Sequence, residues 1–232
     1  MKDVSNPQSQ ILYVTSFQEL VSTPFHGDIN AICWTRNLIG NFAEVVEKVK
    51  LNENIAELDE EQLRDLQLSE QGQLARDFLL NDLKLLKAHG ASPMLNLIKC
   101  YDRDVDNPFF PTDVYSFHVD RSPVPSDTFL CTYHGESSEI VPNAQAIQKI
   151  LIPEIRNEIK KIYHGGEDDF DSFLIEHFFD LHYQTKPHAH PISLGLGNLW
   201  KLAVDYPKSL VLPCIHRAPL ENTGETRLLL IC

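Results

Sequence analysis

The segment at the end of the chain, RLLLIC from Arg227 to Cys232, is apolar on both faces if it forms a strand. Because side chains alternate along a strand, one face carries Arg227, Leu229 and Ile231, and the other carries Leu228, Leu230 and Cys232. A strand that is apolar on both faces is typical of the centre of a sheet covered on both sides. This pattern predicts a central strand that opens with a largely buried arginine.

A buried Arg227 requires an anionic partner, because a charge taken out of water without one is costly. Its planar guanidinium is suited to holding a carboxylate through two parallel hydrogen bonds. No acidic residue stands at an obvious pairing position nearby in the sequence. Two explanations therefore remain open: a bound carboxylate ligand, or a structural ion pair with a distant aspartate or glutamate.

The periodicity changes along the chain and predicts a single α+β domain over residues 1–232. Apolar residues recur at helical spacing between residues 41 and 90, where Gly90 is a natural helix stop, so residues 1–95 are expected to form a mainly helical support. Residues 96–232 are rich in strand-like segments, interrupted by a helical insertion at about 144–163. Within that insertion, Pro153 marks either a kink or the start of a second helix.

Composition and charge exclude several classes of protein. Aspartate and glutamate outnumber lysine and arginine 33 to 20, giving a net charge of −13, so we expect no nucleic-acid partner. The five cysteines are scattered and never spaced as C-x-x-C, which disfavours a disulfide framework or a zinc ribbon. No segment reaches the roughly 20 apolar residues of a membrane helix, and the polar first ten residues lack a signal-peptide core. We therefore expect a cytoplasmic location and no membrane partner.

The segment VYSFHVDRSP places His118 and Asp120 two residues apart in a predicted strand. Residues at this spacing project to the same face, so both side chains can reach one metal ion. An imidazole with a carboxylate is a mixed nitrogen and oxygen pair that suits Fe(II), and also Zn(II) or Mn(II). Taken alone, a histidine and an aspartate at this spacing are also typical of the exposed polar end of a strand.

A third metal ligand has several candidates in the sequence. His216 precedes Arg227 on a separate strand-like segment, whereas His182, His188 and His190 lie together in LHYQTKPHAHP. An H-x-H pair on an extended segment can also bind zinc if a third ligand is present. We favour His216, because only this histidine has an arginine, Arg227, about ten residues downstream.

The order H-x-D, then a distant histidine, then an arginine further along resembles the signature of Fe(II)/2-oxoglutarate-dependent dioxygenases. More narrowly, INAICWTRNL, FHVDRSP, LCTYHG and IHRAP with TRLLL resemble a bacterial domain family of unknown function within that superfamily, from about residue 29 to 231. The resemblance implies a double-stranded β-helix core, a jelly-roll or cupin-like barrel, in the strand-rich half.

The resemblance also implies roles for particular residues. His118, Asp120 and His216 would be the catalytic Fe(II) ligands, and Arg227 would hold the far carboxylate of the cosubstrate 2-oxoglutarate. Tyr133 would be a second hydrogen-bond donor to that carboxylate, although the sequence leaves open which face of its strand points inward. The implied activity is hydroxylation or demethylation of a small-molecule or protein substrate that the sequence does not identify.

Two other functions remain open at this point. A cupin-like metalloenzyme or metal-binding protein would use the same three ligands without 2-oxoglutarate, and a non-catalytic barrel would serve only as an interaction module. Arg36 is either structural or part of the site lining. The sequence makes no prediction of the oligomeric state.

Overall fold

The fold is described by a computed structural model that covers residues 10–105, 109–220, 222 and 224–232. Its helices are α1 (Phe17–Ser22), α2 (Phe42–Lys48), α3 (Glu60–Asp65), α4 (Glu70–His89), α5 (Pro153–Ile162) and α6 (Phe170–Glu176). Its strands are β1 (Ile11–Val14), β2 (Ala31–Trp34), β3 (Ile55–Glu57), β4 (Met94–Ile98), β5 (Phe117–His118), β6 (Asp127–His134), β7 (Glu139–Ile140), β8 (Ala146–Gln148), β9 (His182–Thr185), β10 (Ile192–Ser193), β11 (Leu199–Ala203), β12 (His216–Arg217) and β13 (Arg227–Ile231). The α+β class predicted from the sequence is confirmed, with the strands arranged in two sheets.

The larger sheet has seven strands in the order β1-β2-β11-β6-β13-β4-β3. Strand β13 lies between β6 and β4 and pairs antiparallel with both, so it is central, as predicted. Leu228 and Leu230 pack into the core beneath the N-terminal helices. Leu229 and Ile231 belong to the apolar cluster between the two sheets. Arg227 shares their parity and therefore faces the space between the sheets.

The N-terminal region supports this sheet with helices and also contributes strands to it. The longest helix, α4, starts at the cap residue Ser69 and ends at Gly90, which adopts a left-handed conformation with φ 96°. Besides the expected helices, β1, β2 and β3 come from residues 1–95 and form both edges of the seven-stranded sheet. Strands β1 and β2 coincide with the short strand-like segments ILYV and INAICW of the sequence, whereas β3, at three residues, is too short for a clear alternating pattern.

The smaller sheet has six short antiparallel strands in the order β10-β7-β12-β5-β9-β8. Directly opposite residues on neighbouring strands form a row across it: Ile140, His216, His118 and His182. Opposite residues of an antiparallel pair project to the same face. Since Ile140 packs into the cluster between the sheets, the three histidines face the same interior space.

The helical insertion extends further than the sequence pattern indicated. Pro153 is the first residue of α5, so it starts a helix and does not kink one. Helix α6 follows, and the two helices pack over a cluster that includes Phe110, Ile159 and Phe170. The chain then returns to the smaller sheet as β9.

Within the described ranges, none of the helices combines the length and apolarity that crossing a membrane requires.

Candidate metal centre

His118, Asp120 and His216 converge at the interior face of the smaller sheet. His118 on β5 lies directly opposite His216 on β12, and Asp120 follows His118 by two residues. The ligand atoms of the three side chains all lie within 4.8 Å of one another. The two imidazole centroids are 4.5 Å apart, and Nε2 of His216 is 3.7 Å from Oδ2 of Asp120. One metal ion can therefore contact all three.

Backbone contacts orient both imidazoles in the same way. Nδ1 of His118 lies 2.8 Å from the carbonyl oxygen of Ser116, and Nδ1 of His216 lies 3.2 Å from that of Cys214. A carbonyl can only accept, so each Nδ1 carries the proton and each Nε2 keeps its lone pair. This is the tautomer that a metal ligand requires.

The third ligand is oriented by a hydroxyl. Thr128 on β6 of the larger sheet donates a hydrogen bond from Oγ1 to Oδ2 of Asp120, 2.5 Å away. Asp120 is thereby anchored to the opposite sheet, while His118 and His216 are anchored within their own. Outer contacts of this kind fix the direction of metal ligands.

Electrostatics keep His118 and Asp120 in the protonation states that bind a metal. Burial, and secondly the neighbouring His216, lower the pKa of His118 to about 4, so this imidazole is neutral at physiological pH. Burial raises the pKa of Asp120, but the neighbouring His216, the Thr128 hydrogen bond and His118 outweigh it and leave that pKa below its ordinary value. Two imidazoles and one carboxylate are a donor set that fits Fe(II), Zn(II) or Mn(II).

The other candidate ligands lie elsewhere. The ring of His182 on β9 is 5.9 Å from that of His118, and His182 is not part of the cluster found among the described residues. His188 and His190 are exposed in the loop after β9. The structure therefore brings His216 to the H-x-D pair, and leaves the H-x-H segment at the surface.

Arg227 is buried, with only 7% of its surface exposed. Its Nη2 donates to Oγ of Ser138 at 2.6 Å and to Oγ1 of Thr132 at 3.1 Å, and Nη1 is 3.5 Å from the hydroxyl of Tyr101. Nε has no partner. Throughout the described ranges, no carboxylate forms an ion pair with Arg227, so the structural ion pair considered from the sequence is not found there.

The lack of a countercharge among the described residues is reflected in the pKa of the Arg227 guanidinium. Burial lowers the pKa of Arg227 below its ordinary value, and Tyr101 offsets this only in part. Arg227 also lines a cleft with the apolar or aromatic residues Ile98, Tyr101, Pro219 and Leu220 and with two acidic residues, Glu136 and Glu225. A carboxylate bound here would supply the absent charge and accept from the unpaired Nε.

Arg227 and the metal ligands are connected through shared neighbours. Thr128, which contacts Asp120, and Thr132, which contacts Arg227, are four residues apart on β6, or about 13 Å along an extended strand. Ser138 precedes β7, the strand that pairs with β12 and places Ile140 opposite His216. The three candidate ligands and the arginine therefore lie on the facing sides of the two sheets.

Tyr133 lies on the other face of β6, away from Arg227. Its hydroxyl donates to Oδ2 of Asp82 at 2.5 Å, and its ring stacks on Phe42 at a centroid distance of 5.4 Å. It is therefore not placed to donate to a carboxylate held by Arg227. The neighbour that contacts Arg227 is Thr132, of the opposite parity.

Arg36 is structural. Its Nη1 donates to both carboxylate oxygens of Asp82 on α4, each at 2.7 Å, and its Nε donates to the carbonyl oxygen of Gly197. Both side chains of this ion pair are buried. The pair fastens α4 to the helix-facing side of the larger sheet, opposite to the metal ligands.

Four polar residues around the site were not predicted from the sequence: Tyr101, Thr128, Thr132 and Ser138. Isolated hydroxyl residues in or beside a strand give no signal on their own, because their partners come from distant parts of the chain.

Comparisons of this chain with models of known protein families, with curated proteins and with solved structures find no match. The function is therefore argued from the geometry of the site.

Proposed function

We propose that this protein is an Fe(II)- and 2-oxoglutarate-dependent oxygenase, with its two sheets forming the double-stranded β-helix of that superfamily. One observation carries the proposal: a two-histidine, one-aspartate cluster on one sheet faces the side of the other sheet that holds a buried arginine, and this arginine lacks an anionic partner in the described residues. The cluster alone would suit any small metalloprotein. The arginine adds a place for a dicarboxylate.

Each residue has a defined task in this proposal. His118 and His216 offer Nε2, and Asp120 offers a carboxylate oxygen, which leaves several coordination positions of the metal for other ligands. When bound, Fe(II) and 2-oxoglutarate would activate dioxygen, which is the oxidant: one oxygen atom goes to the cosubstrate as it is decarboxylated and the other to a substrate C–H bond. Arg227 binds the far carboxylate, and Ser138 and Thr132 hold its guanidinium in place.

The apolar cluster between the sheets favours this chemistry. Trp200, Leu229 and Ile140 are almost fully buried there. Their burial keeps water out of the apolar region between the two sheets. A low-polarity surrounding strengthens the contact between the guanidinium and a carboxylate.

The test is the weak visible charge-transfer band that Fe(II) and 2-oxoglutarate give together under anaerobic conditions. We expect the band in the unchanged protein, its loss in His118→Ala, and its retention in His190→Ala, which alters an exposed histidine instead. Arg227→Ala is expected to abolish 2-oxoglutarate binding while Fe(II) binding persists. A correctly folded protein that binds neither metal nor 2-oxoglutarate contradicts the proposal.

The alternative of a metal protein that does not use 2-oxoglutarate makes a different prediction. In that case Arg227→Ala changes folding stability and leaves all ligand binding intact. The unpaired Nε of Arg227 favours the first function, because a purely structural arginine is expected to have its buried donors satisfied.

A further inference from the structure

His182 extends the row of metal-site histidines by one strand. It lies opposite His118, on β9, and is only 5% exposed. Its Nδ1 is buried and has no hydrogen-bond partner. A buried polar nitrogen without a partner costs free energy, so such a group is expected to meet a ligand or water when the protein is in use.

Lys149 stands next to His182 at the end of β8. Strand β8 pairs with β9 so that Gln148 is opposite Tyr183, which brings the following residue, Lys149, beside His182. Burial and His118 are the main causes that lower the pKa of His182, and the positive charge of Lys149 contributes to the same shift. Both side chains also lie against the ring of Phe110, whose centroid is 6.2 Å from that of His182 and 4.9 Å from Nζ of Lys149.

The ammonium group of Lys149 has a donor to spare. Nζ donates to Oγ of Ser116 at 2.7 Å and to the carbonyl oxygen of Pro111 at 3.3 Å, and it lies 4.9 Å from the ring centroid of Phe110. An ammonium has three N–H donors, so these contacts occupy two. In the parts of the chain that are described, no carboxylate forms an ion pair with it, although the net charge of the protein is −13.

Two nearby carboxylates are engaged elsewhere. Asp113 accepts a hydrogen bond from the backbone N–H of Tyr115, and Asp104 accepts from both the backbone N–H and the hydroxyl of Thr112. Burial lowers the pKa of Lys149, and these two carboxylates oppose that shift without pairing with the ammonium. The described residues thus leave the ammonium of Lys149 without a paired countercharge.

The strand order separates this pair from Arg227. Ser138, which contacts Arg227, immediately precedes β7, whereas Lys149 follows β8 at the other end of the sheet. Strands β12 and β5, with His216 and His118, lie between them. A ligand held by Lys149 and His182 would approach the metal from the side opposite to one held by Arg227.

We propose that Lys149 and His182 bind the carboxylate of a small carboxylic acid, which is the primary substrate that is oxidised at the metal centre. One ammonium charge with one imidazole N–H matches a monoanion that accepts two hydrogen bonds. The role of this acid as a substrate rests on the proposed function. The binding site itself does not, because it requires neither iron nor 2-oxoglutarate.

The test uses metal-free protein with ¹³C-labelled histidine, butyrate as the probe, and butyramide as its neutral counterpart of the same shape. We expect butyrate to cause a saturable shift of the His182 ring resonance, and butyramide to cause none. Lys149→Met keeps the packing against Phe110 and should weaken butyrate binding at least tenfold, whereas Lys149→Arg should retain it. Lys149→Gln serves as a second neutral variant if the methionine variant does not fold.

The outcome is decisive in either direction. Equal butyrate binding by the unchanged and the Lys149→Met proteins overturns the inference, as does binding that is lost only in Arg227→Ala. If butyrate binds as expected but no charge-transfer band forms with Fe(II) and 2-oxoglutarate, the carboxylate site stands and the proposed function fails. If the band forms and butyrate does not bind, the proposed function stands and the carboxylate site fails.

Discussion

Thr128 and Thr132 occupy the same face of β6, where the first donates a hydrogen bond to Asp120 and the second accepts one from Arg227. One strand of the larger sheet thus positions both a metal ligand on the smaller sheet and the candidate carboxylate-binding group. The two threonines are themselves a matched pair for experiment, since both are buried and the same substitution can be made at each.

Thr128→Val is expected to weaken metal binding, because Asp120 loses the donor that fixes its carboxylate. Removing an outer contact of a metal ligand typically lowers affinity 10- to 100-fold. Thr132→Val should leave the metal affinity unchanged and weaken 2-oxoglutarate binding. Titration of both variants with Fe(II) or Zn(II), against a competing chelator, measures the first effect, and the opposite ranking would contradict these assignments.

Arg227→Met is expected to leave the free energy of unfolding within about 1 kcal/mol of its original value while abolishing 2-oxoglutarate binding. The substitution removes a buried charge without breaking an ion pair in the described residues, and this gain offsets the lost hydrogen bonds to Ser138 and Thr132. Urea unfolding gives the stability. A loss of several kcal/mol would instead assign Arg227 a structural role.

Asp82→Asn is expected to lower the free energy of unfolding by about 3–5 kcal/mol, because it leaves Arg36 buried without a countercharge. It also disturbs the hydrogen bond from Tyr133. The control is Asp77→Asn on the same helix, where the side chain is 70% exposed and little change is expected. Similar unfolding curves for the two variants would rule out a stabilising role for the buried pair.

Metal binding is expected to stabilise the protein, because β5 and β12 are only two residues long and an ion held by His118 and His216 would join them. With free metal at one hundred times its dissociation constant, the gain is about 2.7 kcal/mol. Thermal unfolding with Zn(II) or with EDTA measures it, and His216→Ala should remove the difference. Equal unfolding temperatures with Zn(II) and with EDTA would contradict the prediction that an ion binds at this site.

Four of the five cysteines should react slowly with thiol reagents in the folded protein. Burial raises the pKa of Cys33 and Cys232 to about 11 and that of Cys131 to about 12, and it also raises that of Cys214. The thiolate is the reactive form, so below these values each pH unit gained should raise their labelling rates about tenfold. Mass spectrometry after timed alkylation at pH 8 and pH 9 checks this, and fast labelling of Cys131 at pH 8 would contradict it.

Some of this arrangement could be read from the sequence because local patterns determine it. The apolar residues on both faces of β13 gave its central position, and the two-residue spacing of His118 and Asp120 gave their common face. His216 was favoured only because Arg227 follows it. Its position beside β5 depends on strand order, which brings β12 and β9 to either side of β5 although both come much later in the chain.

The role of Tyr133 could not be read in the same way. Six consecutive residues of β6, from 128 to 133, are buried, so polarity does not distinguish its two faces. A shift in the register between Leu228 and Leu229 of β13 further disturbs the pairing near this residue. The choice between Thr132 and Tyr133 was therefore settled by the packing of Tyr133 against Asp82 and Phe42, which lie far from it in sequence.

Arg121, which directly follows the candidate ligand Asp120, connects the helical insertion to the candidate metal centre. Its guanidinium binds Asp180, just before β9, and Nε donates to Asp205 at 2.9 Å. A displacement of the insertion would therefore pull on the residue next to a ligand. Removing the insertion would remove the contact between Arg121 and Asp180. Substitutions on the outer surface of the insertion would therefore change the geometry around Asp120 from a distance.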